Sequence, residues 1–408
     1  MNKEELLKDI VVLELASVLA GPNVGAGFAE LGATVIKVEN LKTKGDVTRT
    51  WKLPTEEQDN DVSGYFSCAN WGKKSISIDI TKKQGLKIIF ELVKKSDIIL
   101  VNYKPGDAEK LKVDYKTLNK LNKKIIYAHI TGYGLEIPWA GYDAIIQAES
   151  GFTFMNGDPK GDPTKMPVAL MDLLAAHNLK EGILLALLKR EKTGKGTFVT
   201  SSLIQAGVSS LANQATNWLV GNTNPSRMGS DHPNIVPYGT VFHTKDKKEL
   251  VLAIGSDRQF EQLCEILGKP EIAKDIKFKT NFDRVKNRDE IKKILQDLIL
   301  KVERDKLLEI LRKKKIPSGA VNTIKEVFEH PQSQYMILKG TTGTGKEIKG
   351  HRTVCFHFEN EEINEGISAP PHYGEHSIHI LRDFLGYECE EIKKLISEDV
   401  IYARNEKK

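Results

Sequence analysis

The sequence predicts an α/β protein in which a parallel sheet with helices on both faces is accompanied by a separate, smaller α+β domain. Two observations support this fold class. Short, continuously apolar runs alternate with helix-like segments in the first part of the chain, as in sheets that are buried on both faces. From residue 238 onward the pattern changes to a short strand pair followed by lysine-rich amphipathic helices, which indicates a second domain.

Each element is predicted from its own pattern. Apolar runs bounded by turn residues predict strands at 10–15, 33–39, 75–80, 97–101 and 124–130. Apolar residues spaced three and four apart predict helices at 24–31, 85–95, 173–192 and 388–397. The stretch 197–212 begins like a strand and becomes helical, and the proline-rich stretch 221–237 is typical of a linker. The strand pair of the second domain is expected at 240–243 and 249–254.

The composition limits the classes of function. The chain has 408 residues, which suggests two or three domains. Its net charge of +5 is spread without a basic block, so nucleic acid is not an expected partner, whereas a small phosphorylated ligand needs only a few local cations. The four cysteines include no Cys-x-x-Cys pair, which favours reduced thiols. No apolar run approaches ~18 residues and the first residues lack an apolar signal segment, so we expect a cytoplasmic protein without a membrane span.

The segment Leu19-Ala-Gly-Pro22 lies between a predicted strand and a predicted helix. Small residues at such a position let a ligand approach the backbone N–H groups at the start of the helix, which favours anionic groups. The alternative is a tight connection with a glycine needed for packing. The segment lacks the G-x-G-x-x-G spacing of a dinucleotide-binding loop.

Two residue pairs could contact phosphate or nucleotide groups. Lys73 and Lys74 are adjacent and precede a predicted strand, so they can pair with phosphates or form a solvated turn. Asn102 and Tyr103 follow another predicted strand, and ligands of open α/β sheets bind at this end of the strands. The alternative for the second pair is a turn that the following Pro-Gly requires.

Asp172 opens the long apolar helix predicted at 173–192. An aspartate at this position commonly acts as a helix N-cap. The alternative is a carboxylate that the helix dipole keeps ionised and directs into a pocket, where it can attack a thioester and form a mixed anhydride. The histidines show no convincing ligand spacing, and we expect no metal site in the histidine-rich segment 372–379.

Together these segments resemble the family III CoA-transferases (the CaiB/BaiF-like group), which include formyl-CoA transferase and carnitine CoA-transferase, with α-methylacyl-CoA racemase as a divergent branch. The resemblance covers nearly the whole chain in the family's order and spacing. It rests on the segments 18–22, 31–39, 45–49, 72–76, 102–106, 131–134, 141–147, 190–196 and 369–376. It implies an interlocked homodimer and an open, Rossmann-like large domain formed from both termini. The corresponding limits are 1–220 and 335–408 for the large domain, 238–334 for the small domain and 221–237 for the linker.

The resemblance implies that Asp172 is the nucleophile of CoA transfer. Asp172 would attack the donor acyl-CoA thioester and give an aspartyl–acyl anhydride and CoA thiolate. The thiolate would attack the aspartyl carbonyl, leaving an aspartyl-CoA thioester and the free donor acid. The acceptor carboxylate would attack that thioester, and the returning thiolate would form the new acyl-CoA. CoA is then a substrate, and no permanently bound cofactor is needed.

Motif position also implies which residues surround the substrates. Leu19 and Ala20 map beside the pantetheine. Asp143 and Tyr142 map near the acyl substrate. The residues that map near the nucleotide of CoA are Asn40, Ile78, Asp79, Thr81, Asn102, Tyr103, Lys104 and Lys110.

Several departures from the family pattern narrow the reaction. Leu19 replaces the glutamine of formyl-CoA transferases and residues 235–238 lack their glycine-rich loop, so specificity for oxalate or formate is not expected. Asn40 replaces an arginine, which changes the phosphate contacts. Tyr142 stands where racemases have a histidine, and racemisation needs two acid/base groups. The segment 229–238 resembles relatives that use succinyl-CoA and dicarboxylates.

The leading hypothesis is therefore an acyl-CoA:carboxylate CoA-transferase that takes CoA from a donor such as succinyl-CoA and gives it to a carboxylic acid, and the segment 229–238 favours a dicarboxylic acid. The alternatives are an α-methylacyl-CoA racemase and a non-catalytic CoA-binding protein. Solvent deuterium entering the α-position would mark the racemase. An Asp172→Ala variant with unchanged cellular function would mark the binding protein.

Overall fold

The computed structural model describes residues 6–356, 358–359 and 366–404. The strands are, in chain order, β1 (Val11–Glu14), β2 (Thr34–Asn40), β3 (Lys73–Ile78), β4 (Ile98–Val101), β5 (Ile126–Thr131), β6 (Phe198–Ser202), β7 (Tyr238–His243), β8 (Glu249–Ala253), β9 (Ser318–Ala320), β10 (Ile337–Thr341), β11 (Glu347–His351) and β12 (Ile401–Tyr402).

The helices vary widely in length. In chain order they are α1 (Ala20–Glu30), α2 (Gly64–Ser67), α3 (Lys83–Lys94), α4 (Asp107–Lys110), α5 (Tyr115–Leu121), α6 (Asp143–Glu149), α7 (Phe152–Met155), α8 (Leu170–Thr193), α9 (Leu203–Ser209), α10 (Asn213–Leu219), α11 (Asp257–Ile266), α12 (Asn281–Lys286), α13 (Arg288–Ile299), α14 (Arg304–Lys313), α15 (Ile324–Glu329), α16 (Ser377–His379) and α17 (Cys389–Ser397). Short 3₁₀ turns lie at Val47–Thr50, Pro270–Lys274 and Pro331–Met336, and a π turn lies at Ile380–Phe384. Among the described helices none is both long and apolar enough to cross a membrane.

A seven-stranded sheet has the order β12-β3-β2-β1-β4-β5-β6. Its strands pair in parallel, except that β12 runs antiparallel to β3 at one edge. The strand order reverses between β1 and β4, because the chain moves outward through β2 and β3 on one side and through β5 and β6 on the other. Ligands of open α/β sheets bind beyond the carboxyl ends of the strands at such a reversal. The connections that follow β1 and β4 are therefore where the fold favours a site.

The predicted fold class is confirmed as a mixed α/β architecture with a large, mainly parallel sheet and smaller antiparallel sheets. The central strand β4 is apolar on both faces, as predicted, and every residue of it is buried. The antiparallel sheets have the orders β7-β8-β9 and β10-β11. The predicted strand at 75–80 begins earlier, at Lys73, because Lys73 pairs with Val35 of β2 instead of lying in a turn.

Helix α1 packs closely on the sheet because of its small residues, and all of them are buried. A Cβ atom on Gly25 would lie 2.0 Å from Glu14 Oε2, and one on Gly21 would lie 2.4 Å from the Ala16 Cβ, so larger residues do not fit at either position. This close approach places the first turn of α1 directly beyond the end of β1.

The chain divides into two compact units. One consists of Met1–Ser150, Met166–Ala212 and Gln334–Lys408 and contains the seven-stranded sheet. The other consists of Gly151–Lys165 and Asn213–Ser333 and contains the β7-β8-β9 sheet with its own apolar core.

The domain limits predicted from the sequence stay a prediction. The compact units of the structure differ from those limits in the placement of two segments. Residues 151–165 and 213–220 were assigned to the large domain, and 221–237 to a linker, but all of them belong to the second unit. Arg284 connects three parts of the second unit. It is fully buried and donates to the carbonyl oxygens of Val236 and Phe278 at 2.8 Å each.

Candidate active site

The connections that follow β1 and β4 are joined by the side chain of Asn102. Its Nδ2 donates to Ser17 O at 2.7 Å, and its Oδ1 accepts from Ser17 N at 3.1 Å. Both ends of the amide are thus engaged with the backbone. Asn102 therefore shapes this part of the site, and its direct contact with a nucleotide stays a prediction.

Two cavities open around this junction, and both include Ser17 and Tyr103 in their walls. We call the larger one, of about 570 Å³, the Asn40 cavity, and the smaller one, of about 340 Å³, the Asp172 cavity. The shared residues make them neighbouring compartments at the reversal of strand order. Together they offer an elongated ligand one place for each of its ends.

The cavities bring together most of the residues that the sequence predicted. In the Asp172 cavity lie Leu19, Ala20, Asn102, Tyr103, Lys104, Tyr142 and Asp172. In the Asn40 cavity lie Asn40, Ile78, Asp79, Thr81 and, again, Tyr103. Lys110 and Asp143 line neither cavity. Lys110 is exposed and pairs with Asp107 at 2.8 Å, whereas Asp143 contacts the backbone of Met171, the residue before Asp172.

Asp172 lies in the first turn of α8, but it does not cap the helix. The N-cap residue is Ala169, so the interpretation of Asp172 as an N-cap is wrong. The physical reason lies in α6, where Asp143 Oδ1 accepts the N–H of Met171 at 2.9 Å. Because this carboxylate satisfies a free N–H of the first turn, the side chain of Asp172 is not needed for that purpose.

The carboxylate of Asp172 is half-buried, and within the described part of the chain no hydrogen bond or ion pair reaches it. Burial, and to a smaller extent the charge of Asp143, raises the pKa of Asp172 to about 7. Desolvation thus opposes the helix dipole, which was expected to keep this group ionised. Near neutral pH a large fraction is still ionised, and an unpaired carboxylate in a cavity is available as a nucleophile.

A cation at the edge of the Asn40 cavity was not among the predicted site residues. Lys42 Nζ lies 3.4 Å from Asp79 Oδ2 and donates to Thr81 Oγ1 at 2.7 Å. Its side chain is 58% exposed, so the ammonium group sits at the rim of the cavity. Lys44 lies in the cavity wall. The sequence offers one indication of these lysines, namely their position shortly after Asn40. That indication is weak, because many other lysines of this chain lie in similar sequence surroundings.

Lys73 is buried instead of facing a ligand. Its Nζ contacts both carboxylate oxygens of Glu14 at 2.8 and 3.0 Å, and it donates to Pro22 O at 2.8 Å. Burial lowers the pKa of Lys73 to about 8, against the opposing effect of Glu14. Both interpretations of Lys73, a phosphate contact and a solvated turn, are therefore wrong.

Residues 7–377 match CoA-transferase family III, and the chain belongs to this family. The fold agrees, since the structure of a CAIB/BAIF family protein from Brucella suis superposes with a TM-score of 0.80 at 35% identity, covering 94% of this chain and 100% of that one. The predicted family and the predicted enzyme class, a CoA-transferase, are confirmed.

Two named relatives align over almost their whole length. The succinate–glutarate CoA-transferase of Agrobacterium fabrum is 37% identical over 390 residues, which is 94% of this chain and 96% of the relative. The human succinyl-CoA:glutarate CoA-transferase is 36% identical over 408 residues, which is 98% of this chain and 91% of the relative. These relatives favour the transferase hypothesis over the racemase and the non-catalytic binding protein.

Proposed function

We propose that this protein transfers CoA from succinyl-CoA to a dicarboxylic acid such as glutarate, with Asp172 as the nucleophile. The observation that carries the assignment of Asp172 is that its carboxylate has no partner among the described residues and lies in a cavity whose walls include Leu19 and Ala20. The choice of substrates is supported by the relatives of Agrobacterium and human, whose names give this pair of acids. The segment 229–238 supported a dicarboxylate on the sequence alone.

The chemistry begins with the ionised form of Asp172. A carboxylate oxygen attacks the thioester carbon of succinyl-CoA, the carbon–sulfur bond breaks, and CoA leaves as a thiolate. The product on the protein is a mixed anhydride between Asp172 and succinate. No proton is transferred in this step, so no separate general base is required.

The anhydride is then resolved through three exchanges. The CoA thiolate attacks the aspartyl carbonyl carbon, which releases succinate and leaves an aspartyl-CoA thioester. The carboxylate of the acceptor attacks this thioester and releases the thiolate again, giving an anhydride between Asp172 and the acceptor. The thiolate finally attacks the acceptor's carbonyl carbon, which forms the new acyl-CoA and restores the Asp172 carboxylate.

The two cavities provide a consistent place for CoA. In this proposal its nucleotide occupies the Asn40 cavity, where Asn40, Lys44 and Thr81 supply polar groups. The pantetheine passes Ser17 and Tyr103, which both cavities share, and the thioester reaches Asp172. Lys42 at the rim supplies a positive charge near the phosphates.

The proposal is tested by mass spectrometry of the purified protein after incubation with succinyl-CoA, with and without hydroxylamine, followed by peptide mapping. We expect a CoA adduct or a hydroxamate on the peptide that carries Asp172. The Asp172→Ala variant should form no adduct and lose about a thousandfold or more in turnover, yet still bind CoA. Asp107→Ala is the matched control, because Asp107 is another carboxylate of the same cavity and should keep both adduct and turnover. An adduct on a different peptide would contradict the assignment of Asp172.

We also propose that the protein works as an interlocked homodimer in the cytoplasm and holds no permanent cofactor, as the resemblance to the family implies. The apolar side chains of Leu184, Leu185 and Leu188 on α8 support an interface, since they are 43%, 67% and 62% exposed in the single chain. All four cysteines are free, which suits a reducing compartment. Light scattering during size-exclusion chromatography tests the dimer, and a fully active monomer would contradict it.

A further inference from the structure

The backbone just beyond β1 is held by two charged side chains buried beneath the site. Lys37 Nζ donates to Ala16 O at 3.0 Å. The Asp46 carboxylate accepts the N–H of Val18, with distances of 3.3 Å to Oδ1 and 3.1 Å to Oδ2. The two side chains also pair with each other at 3.0 Å, and Lys37 and Asp46 are only 1% and 5% exposed. The buried ion pair thus makes hydrogen bonds to the backbone on both sides of Ser17, at Ala16 O and at Val18 N.

The conformation that these contacts hold is an unfavourable one. Val18 has a φ of +71°, in the left-handed region that β-branched residues rarely adopt because the side chain crowds the backbone. Such a conformation persists only where neighbouring groups determine it. Here Asp46 accepts the N–H of Val18 itself, and Asn102 holds both backbone groups of Ser17.

The residues that follow Val18 form a wall of the Asp172 cavity. Leu19 and Ala20 line that cavity, and Ala20 is the first residue of α1. Asp46 lines the Asn40 cavity and is absent from the walls of the Asp172 cavity. The contact between Asp46 and the N–H of Val18 is therefore a direct link from Asp46 to that wall.

We propose that Asp46 is a positioning residue for CoA transfer: its carboxylate, paired with Lys37, holds Val18 in the left-handed conformation and so places Leu19 and Ala20 against the substrate in the Asp172 cavity. This inference rests on the proposed function and deepens it. It predicts that loss of Asp46 lowers the rate at the Asp172 end more than it weakens binding at the nucleotide end, since a small displacement of a wall at the reacting atoms can cost a large factor in rate.

A purely local role of Asp46 has to be separated from this one. Asp46 also caps the 3₁₀ turn Val47–Thr50, where its Oδ1 accepts the N–H of Thr48 at 3.1 Å and the Thr48 hydroxyl at 2.8 Å. Thr48→Val removes the hydroxyl contact and leaves Val18 untouched. Removal of Asp46 leaves Lys37 Nζ with Glu14 Oε1 at 3.1 Å, a carboxylate that Lys37 shares with Lys73, so folding of the variant is verified before its kinetics are compared.

The test compares four variants with the wild type in the transfer from succinyl-CoA to glutarate, with kcat and KM measured separately and melting curves recorded to verify folding. We expect Asp46→Ala to lower kcat by about ten- to a hundredfold, with KM for succinyl-CoA changed by less than about threefold. Thr48→Val should keep kcat within about twofold. Val18→Gly alone is the reference for the double variant, because glycine adopts a positive φ without strain.

The decisive variant combines Val18→Gly with Asp46→Ala. If Asp46 acts by holding Val18, glycine at that position should restore kcat at least about fivefold relative to Asp46→Ala alone, whereas a structural defect elsewhere would not respond. Should Asp46→Ala fail to fold, Asp46→Asn replaces it, and the same rescue by Val18→Gly is expected on a smaller loss.

Three results would overturn the inference. They are an unchanged kcat without Asp46, an effect on KM alone, and a double variant no faster than the variant lacking Asp46. In each case a wild type that forms the succinyl-CoA adduct leaves the proposed function intact. A wild type that forms no adduct overturns both proposals together.

Discussion

The carboxylates around the two cavities differ in how they are paired. In the wall of the Asn40 cavity, Glu39 Oε1 lies 2.6 Å from the guanidinium of Arg49, and Asp46 Oδ2 lies 3.0 Å from the ammonium of Lys37. In the Asp172 cavity, the reactive carboxylate of Asp172 has no such partner among the described residues. The same chemical group is therefore neutralised at one end of the site and left free at the other.

This difference shifts the pKa values in opposite directions. Burial works against ionisation of Glu39 and Asp46, but the cations beside them hold the pKa of each carboxyl below its usual value. Burial without a cation raises the pKa of Asp172 to about 7. Pairing keeps the wall of the Asn40 cavity from repelling phosphates, whereas its absence leaves Asp172 able to attack a carbonyl carbon. The predictions below test this contrast, beginning with the largest effect.

The pH dependence of activity should report the unpaired state of Asp172. Only the ionised carboxylate attacks the thioester, so kcat/KM should rise with pH to a plateau above about 7 and fall about tenfold per pH unit below it. Asp143→Asn removes the neighbouring charge that raises the pKa, and it should move this limb to lower pH. The measurement is a profile of kcat/KM against pH for both proteins.

The control for this profile is Glu149→Gln, because Glu149 is a carboxylate on the same helix as Asp143 and bonds instead to the Tyr133 hydroxyl at 2.7 Å. The rise of kcat/KM with pH should occur at the same pH in Glu149→Gln as in the wild type. A wild-type profile that is flat below pH 7 would show that Asp172 ionises at an ordinary carboxyl pKa, and the contrast between the cavities would fail.

Lys42 should affect binding without affecting the chemical step. Removing it takes a cation from the rim of the Asn40 cavity and leaves Asp79 without its nearest ammonium group, so Lys42→Ala should raise KM for succinyl-CoA about three- to tenfold while kcat stays constant. The increase should shrink at high salt, because the group is exposed. Steady-state kinetics at two ionic strengths provide the measurement.

Lys110→Ala is the matched control for Lys42→Ala. Lys110 was predicted to contact CoA, but it lies outside both cavities and pairs with Asp107 on the surface. Its replacement should change KM by less than about twofold. A larger effect for Lys110 than for Lys42 would indicate that the nucleotide follows a different path from the one proposed.

The sequence predicted well those features that depend on local pattern. Apolar runs located the central strands, and the spacing of apolar residues located the long helix, which ends at its C-cap Gly194 with a φ of +67°. The two-residue strand β12 went unpredicted, because Ile401 and Tyr402 form a strand only through their pairing with β3.

Features that depend on distant partners could not be predicted in this way. Lys73 is buried because Glu14, far away in sequence, meets it in the core. Asp172 is free of a capping role because Asp143 takes that role from another helix. Both positions offered a familiar local interpretation, and in both the tertiary contact determined the outcome.

The raised pKa of Asp172 should also reduce the stability of the folded protein as the pH rises. An ordinary aspartate has a pKa of about 3.9, so between about pH 4 and 7 the folded state retains a proton that the unfolded state releases. The stability that this proton contributes is lost across that window. Asp172→Asn cannot ionise and should therefore match the wild type at about pH 4 but exceed its free energy of unfolding by on the order of 2 to 4 kcal/mol at about pH 8.

Melting temperatures of the two proteins across this range test the effect, with Asp107→Asn as the control because the Asp107 carboxylate is paired with Lys110 at the surface. The difference between Asp107→Asn and the wild type should stay nearly constant with pH. If the gap for Asp172→Asn is equally constant, the Asp172 carboxyl is not desolvated in the folded protein. If the stability difference between Asp172→Asn and the wild type widens with pH as predicted, the desolvation that makes Asp172 reactive also lowers the stability of the folded protein. Such a loss is expected where a functional group is left without a partner.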